Sequence, residues 1–273
     1  MEAFLAHPAV QGGVAPFVVG LTVVAILAKA KLGGLAVTAG FAVTIALASG
    51  LVFTPLTAVR KVALLGLLAP AVGIVLDFAL RRGRTLSVLI ALACGVLTVW
   101  VFWSVLRQRP VGEALLLGGG VAVFVAWLVA STLELADQPV RAGAAALMLG
   151  LGTGVSAILG ASALLGLYGI AIGAGAGAFV LVQMLTGRKI AAGATLTLSA
   201  SAAAGLVAAA ALVLAQLPWY GLLMLAFIPL ASRLPASDRL PVWAQAFIVS
   251  GYGFAVALVA FALTWRSPPP GGY

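Results

Sequence analysis

The sequence predicts an all-α fold, a polytopic transmembrane helix bundle of about ten spans, with nine as the alternative count. Three observations carry that prediction. Hydrophobic residues make up 64% of the 273 and charged residues only 8%, against about 25% charged in a soluble domain. Apolar runs near the ~20 residues that cross a hydrocarbon layer about 30 Å thick follow one another along the whole chain. The few bases collect in twos and threes between those runs. Ten crossings use roughly 200 residues, which leaves no length for a separate soluble domain, so 1–273 reads as a single integral membrane domain.

Taken in order, the N-terminus carries Glu2 and His7 before Val10 and no Lys or Arg. It lacks the basic start of a cleaved signal peptide, so the first span, Val10 to Ala28, is expected to be retained. The second is expected from Leu32 to Phe53, the third from Val62 to Leu80 with Pro70 inside it, and the fourth from Thr85 to Leu106. The fifth runs from Val111 to Ser131, the sixth from Val140 to Leu159, the seventh from Ala163 to Thr186 and the eighth from Ile190 to Ala215. The ninth, Pro218 to Ala231, is short and holds Pro229, so it crosses by tilting or thinning the bilayer, or it re-enters, which gives nine spans. The tenth is Val242 to Trp265. Trp219, Trp243 and Trp265 fall at span ends, where an indole is favoured at headgroup level. The last residues, 267–273, include three prolines and cannot continue a helix, so a short exposed tail is expected.

The net charge of +9 does not mark a nucleic-acid binder, because the bases form no continuous patch. They read as topology signals. Lys29, Lys31, Arg81, Arg82, Arg84, Arg141, Arg188, Lys189, Arg233 and Arg239 fall on one side of the threading. Arg60, Lys61, Arg107, Arg109 and Arg266 fall on the other, with both termini. Basic loops stay in the cytoplasm, so both termini are expected outside it, in a bacterial-type inner (plasma) membrane.

Three landmarks recur about half a chain apart. Val10-Gln11-Gly12-Gly13 returns as Val140-Arg141-Ala142-Gly143, Arg60-Lys61 as Arg188-Lys189, and Gly118-Gly119-Gly120 as Gly251-Tyr252-Gly253. Five spans is an odd number, so a duplicated half must insert upside down. The halves would be 1–135 and 136–266. The other account is that Gly, Ala and Val are abundant enough here to produce short matches by chance. At the level of helix count and arrangement, ten spans in two inverted halves resembles the drug/metabolite transporter class. That resemblance implies transport of a small solute. Members of that class place both termini in the cytoplasm, opposite to the charge count here.

Catalysis in a bilayer needs ionisable or metal-binding groups, and these are scarce. His7 is the only histidine and Cys94 the only cysteine, which excludes bis-histidine haem, a cysteine metal cluster and an intrachain disulfide. No Walker or HExxH motif occurs. No cofactor or metal is expected. Asp77 is the one acid in the interior of a predicted span. It precedes Arg81 by four residues, so the two are expected to pair at the helix end, the alternative being a proton or cation site. Glu113 follows Arg109 by four at the start of the fifth span, while Glu134 and Asp137 read as solvated loop residues. Arg60 and Lys61 suit an anion or lipid headgroup, or else snorkel.

Hydroxyls and amides cluster late in the chain, at Gln183, Thr195, Thr197, Ser199, Ser201, Ser250 and Tyr252. Two arrangements are open to them: lining a polar substrate cavity, or returning hydrogen bonds to carbonyls four residues back. If the halves are duplicated, Leu198 stands opposite Pro70, and paired interruptions point to a midplane site. Gly150 and Gly154, then Gly169, Gly173 and Gly177, leave smooth faces for close helix packing within the chain or between copies. The functional expectation is a permease or exporter for a small neutral, amphipathic or lipid-like solute. The alternative is a noncatalytic membrane subunit, scaffold or assembly factor. A lipid-modifying enzyme is a third class, for which no acid, base and nucleophile set is present. Expected partners are membrane lipids, with other membrane proteins or further copies as alternatives.

Overall fold

The computed structural model describes residues 7–80, 83–215 and 217–266. Among the described residues there are ten helices and no strand. In chain order they are α1 Val10–Ala30, α2 Leu35–Ala48, α3 Ala58–Phe78, α4 Arg84–Leu106, α5 Val111–Leu133, α6 Pro139–Leu159, α7 Ala163–Thr186, α8 Gly193–Leu214, α9 Trp219–Ala231 and α10 Val242–Trp265. All but α2 and α9 are long and apolar enough to cross a membrane. The protein is an integral membrane helix bundle. Arg81, Arg82, Glu2 and the expected 267–273 tail lie outside the described residues.

Two spans depart from expectation. The second was expected over Leu32 to Phe53, but α2 is a 14-residue helix. Glycines cut it at both ends: Gly34 lies against the backbone of Leu196, and Gly50 takes φ +73° just past Ser49. The ninth is broken into Trp219–Leu225 and Ile228–Ala231, because Pro229 has no N–H for a helical bond. It is nevertheless held to the C-terminal part of α5. The indole of Trp127 donates to the Ala226 carbonyl at 3.0 Å, and Arg233 Nη2 donates to the Ser131 carbonyl at 2.7 Å. α9 therefore runs beside α5 and parallel to it, with Trp219 towards the α5 start.

α8 forms the centre. Its residues are small (Ala, Gly, Ser, Thr) with a few Leu and Val, and nearly all are buried. A thin helix lets neighbours approach on every side, and α8 packs against α3, α5 and α6 most, then α7, α2 and α4. Around it α6 pairs with α7, α1 with α2 and α7, and α10 with α6. The two chain halves match only in part. α1·α2 corresponds to α6·α7 and α4·α5 to α9·α10, and the cross pairs α2·α7 and α3·α8 are present. However, α6 packs extensively on α10 and α8, whereas α1 has no comparable packing on α5 or α3.

The glycine faces are used inside the chain. A methyl group at Gly150 would collide with the backbone of Gly173. One at Gly154 would meet the Ile170 nitrogen at 2.5 Å, and one at Gly173 the Leu151 nitrogen at 2.8 Å. Gly169 faces the Gly154 backbone, and Gly177 faces only the Leu147 and Phe17 side chains. Four of the five thus hold α6 against α7 at backbone distance.

Candidate functional site

The most site-like feature follows from where two glycines pull their helices. Gly73 brings α3 onto α8, since a methyl group there would meet the Thr195 Cα at 2.7 Å. Gly95 brings α4 onto α5, where a methyl group would meet the Ala122 carbonyl oxygen at 2.7 Å. Drawn to different partners, α3 and α4 touch each other little. Between them lies a cavity of about 190 Å³. Leu65, Leu68, Ala69 and Val72 of α3 form one wall and Ile90, Ala93, Cys94 and Leu97 of α4 the other. Leu198, Ala202 and Leu206 of α8 make the floor, with Val125 of α5 behind. Every group but the Cys94 thiol is apolar. Leu68 is 52% and Leu97 42% exposed, so the groove opens sideways, towards the surface that faces lipid. For scale, an apolar cavity of about 150 Å³ is enough to bind benzene.

Lys61 stands one turn before Leu65 and marks one end of the groove. Its Nζ lies 4.4 Å from the Trp100 ring centroid and donates to the Trp100 carbonyl at 3.5 Å. Trp100 follows Leu97 on the opposite wall, so a cation and an amphipathic indole sit above an apolar slot. Arg60, next in sequence, points elsewhere. Its Nη1 donates to the Pro55 carbonyl at 3.0 Å, and it lines a separate cavity of about 230 Å³ with Thr57, Ser49 and Tyr168. The Ser49 and Tyr168 hydroxyls are 2.8 Å apart. The expected Arg60 and Lys61 site is therefore two places, because successive residues leave a helix about 100° apart.

At the far end of α3, Asp77 does something the sequence reading missed. Its Oδ1 accepts from the Ala194 N–H at 2.7 Å, and its Oδ2 accepts from the Thr195 N–H at 2.8 Å and the Thr195 hydroxyl at 2.7 Å. A carboxylate from one helix thus caps another, satisfying N–H groups that α8 cannot satisfy itself. Gly193 is required there, with φ +63° and the carboxylate filling the space of a side chain. The expected partner Arg81 lies outside the described residues. Asp77 also lines a polar cavity of about 360 Å³ with Lys31, Asp137 and Gly193.

The late hydroxyls divide. Thr197, Ser199 and Ser201 donate to carbonyls four residues back, at 3.0, 2.6 and 2.6 Å, so they are turned into α8 itself. Gln183 is buried, accepts from the Ile190 N–H at 3.3 Å, and its Nε2 finds no partner among the described residues. Ser250 and Tyr252 lie on α10, which packs on α6, α7 and α9, and Tyr252 donates to the Pro235 carbonyl at 3.3 Å. The structure does not gather these seven residues at one point.

No protein-family model matches this chain, and no curated protein or solved structure matches it. The expected resemblance to drug/metabolite transporters therefore has no support from these comparisons. Among the described residues, no three His, Cys, Asp or Glu side chains converge as a metal requires. Glu134, expected to be solvated, is exposed and also binds Arg233 Nη1 at 2.8 Å. Arg141 donates to the Arg233 carbonyl at 2.7 Å, so one arginine ties α9 to α5 and α6. The groove itself has a sequence signature that was legible only in part: Lys61, Leu65, Leu68, Ala69 and Val72 share one helical face, beside the backbone-contacting Gly73.

Proposed function

We propose that this protein is a permease or exporter that admits a small apolar or lipid-like amphiphile sideways from the bilayer, between α3 and α4. The observation that carries this reading is an apolar, laterally open groove headed by Lys61 and Trp100. Such a slot takes a hydrocarbon tail, while the ammonium group holds a polar or anionic head near the interface. Pro70, one residue from Ala69 in the wall, removes a backbone donor in mid-membrane, a device that recurs at transporter midplane sites. The chain's own residues supply binding and orientation only, and the reading is noncatalytic.

The test uses a fluorescent single-tailed amphiphile in liposomes holding the purified protein. Leu68→Trp combined with Leu97→Trp fills the opening at two exposed positions, so the fold survives. Movement of the probe is expected to fall at least tenfold. Lys61→Gln is expected to cost about fivefold for an anionic probe, the factor of one interfacial base, and little for a neutral one. Undiminished movement in the double tryptophan variant overturns the reading. Binding without movement in the wild type favours the noncatalytic subunit or scaffold. The scaffold has less support, because four of the five glycines expected to offer packing faces, Gly150, Gly154, Gly169 and Gly173, are used between α6 and α7.

In the same reading the termini lie outside the cytoplasm of a bacterial-type inner membrane, on the base-poor side. A reporter fused after Tyr273 is expected to be active only outside, and cytoplasmic activity reverses the assignment.

A further inference from the structure

A second groove lies on the other side of α5, and its cause is the short ninth helix. α9 has 13 residues where α5 has 23. With Ala226 bonded to Trp127, seven residues back along each helix sets Trp219 opposite Gly120. α9 therefore begins about 13 Å short of the α5 start. The space left is a cavity of about 640 Å³ running down α5 from Arg109 past Leu116 and Gly120 to Phe124, with Leu212 of α8 and Trp219 and Leu223 on its other side. That length, about 22 Å by helical rise, exceeds the roughly 15 Å of one leaflet's hydrocarbon.

Two details say what fills it. Gly119 and Gly120 cost the helix stability relative to alanine, yet a methyl group at either would meet nothing within 4 Å. Unlike Gly95 or Gly150, they serve no contact inside the protein, and Gly120 lines the groove, so the space beside it is left for something else. At the rim, Arg109 is 41% exposed, and its ion-pair partner Glu113 stands at 4.0 Å, a loose contact in water. Its guanidinium can take both oxygens of a phosphodiester in a bidentate pair, although the Glu113 carboxylate also lines the groove. We infer that this groove holds one anionic glycerophospholipid, its phosphate on Arg109 and an acyl chain along Leu116, Gly120 and Phe124 against Trp219 and Leu223. The site is separate from the α3 and α4 groove and does not depend on the function proposed there.

The test reconstitutes the full chain in phosphatidylcholine vesicles containing about 5% phosphatidylglycerol with a diazirine on one acyl chain, a proportion chosen so that headgroup preference in the negative leaflet field is resolvable. After irradiation, labelled peptides are mapped. The expected result is labelling within 116–124 and 217–223. It should fall about fivefold in Arg109→Gln and vanish in Gly120→Leu, with thermal stability unchanged in both. Equal yield in both variants overturns the inference, as does equal labelling by a phosphatidylcholine diazirine. A dimer on native mass spectrometry that Gly120→Leu dissociates overturns it too, since the groove would then be a contact between copies. Labelling within 65–72 reports the α3 and α4 groove separately, so either proposal can fail without the other.

Discussion

Gly150→Leu is expected to destabilise the folded bundle severely. The α6 and α7 backbones approach so closely at Gly150 and Gly173 that even a methyl group overlaps main-chain atoms, which no rotamer change relieves. Overpacking typically costs about 1–3 kcal/mol when side chains can shift. Here the helices themselves must part, losing contacts along most of their length, so about 4 kcal/mol or more is expected, in the exceptional range for one substitution. In detergent that corresponds to a fall in Tm of roughly 10 °C or to loss of the monodisperse peak on size exclusion. Gly119→Leu, on an open face, is the matched control and should leave both readouts unchanged. A folded Gly150→Leu protein of normal Tm would mean the α6 and α7 crossing is not held at these glycines.

Asp77→Ala is expected to cost about 3 kcal/mol, the sum of a lost charged acceptor and N–H groups left unpaired at a buried helix start. Three short hydrogen bonds converge on this carboxylate, and they join α3 to the centre of the bundle. Asp77→Asn keeps an acceptor for one side of the cap and should recover about half of the loss. Thr195→Val removes only the hydroxyl bond and should cost about 1 kcal/mol. The ordering Ala, then Asn, then Val, measured as Tm, distinguishes a cap from a proton site. A proton site would instead show Asn and Ala equally inactive in transport at normal stability.

The helix count was legible because it rests on solvation alone: apolar runs of span length have no other stable place. Boundaries such as Ala163–Thr186 and Val242–Trp265 coincide with expectation, since Gly, Pro and basic residues flank them. Loop polarity could not reveal where α2 begins, because Gly34 is there for the sake of Leu196, a residue from the other half of the chain. The same is true of Asp77. Four-residue spacing pointed to Arg81, which lies outside the described residues, but it could not show that the Asp77 oxygens accept from groups 117 and 118 positions on. Hydroxyl clustering at Thr197 to Ser201 left a cavity and bonds to the helix's own carbonyls both open, and on a helix enclosed by neighbours these three take the carbonyls four residues back. The lateral groove was the least legible feature, being set by which neighbour each of two glycines meets.

The position of α8 bears on how the molecule is made. A helix enclosed by neighbours from both halves of the chain, yet emerging eighth from the ribosome, arrives after most of its surroundings are already in the bilayer. Those earlier helices must wait in a loose, unclosed ring, with Asp77 exposed at its edge, until translation delivers the residues that complete it. Biogenesis is then late-committing: nascent chains stopped before Leu214 should stay protease-sensitive and associated with the insertion machinery, while those reaching past α8 collapse into the mature bundle.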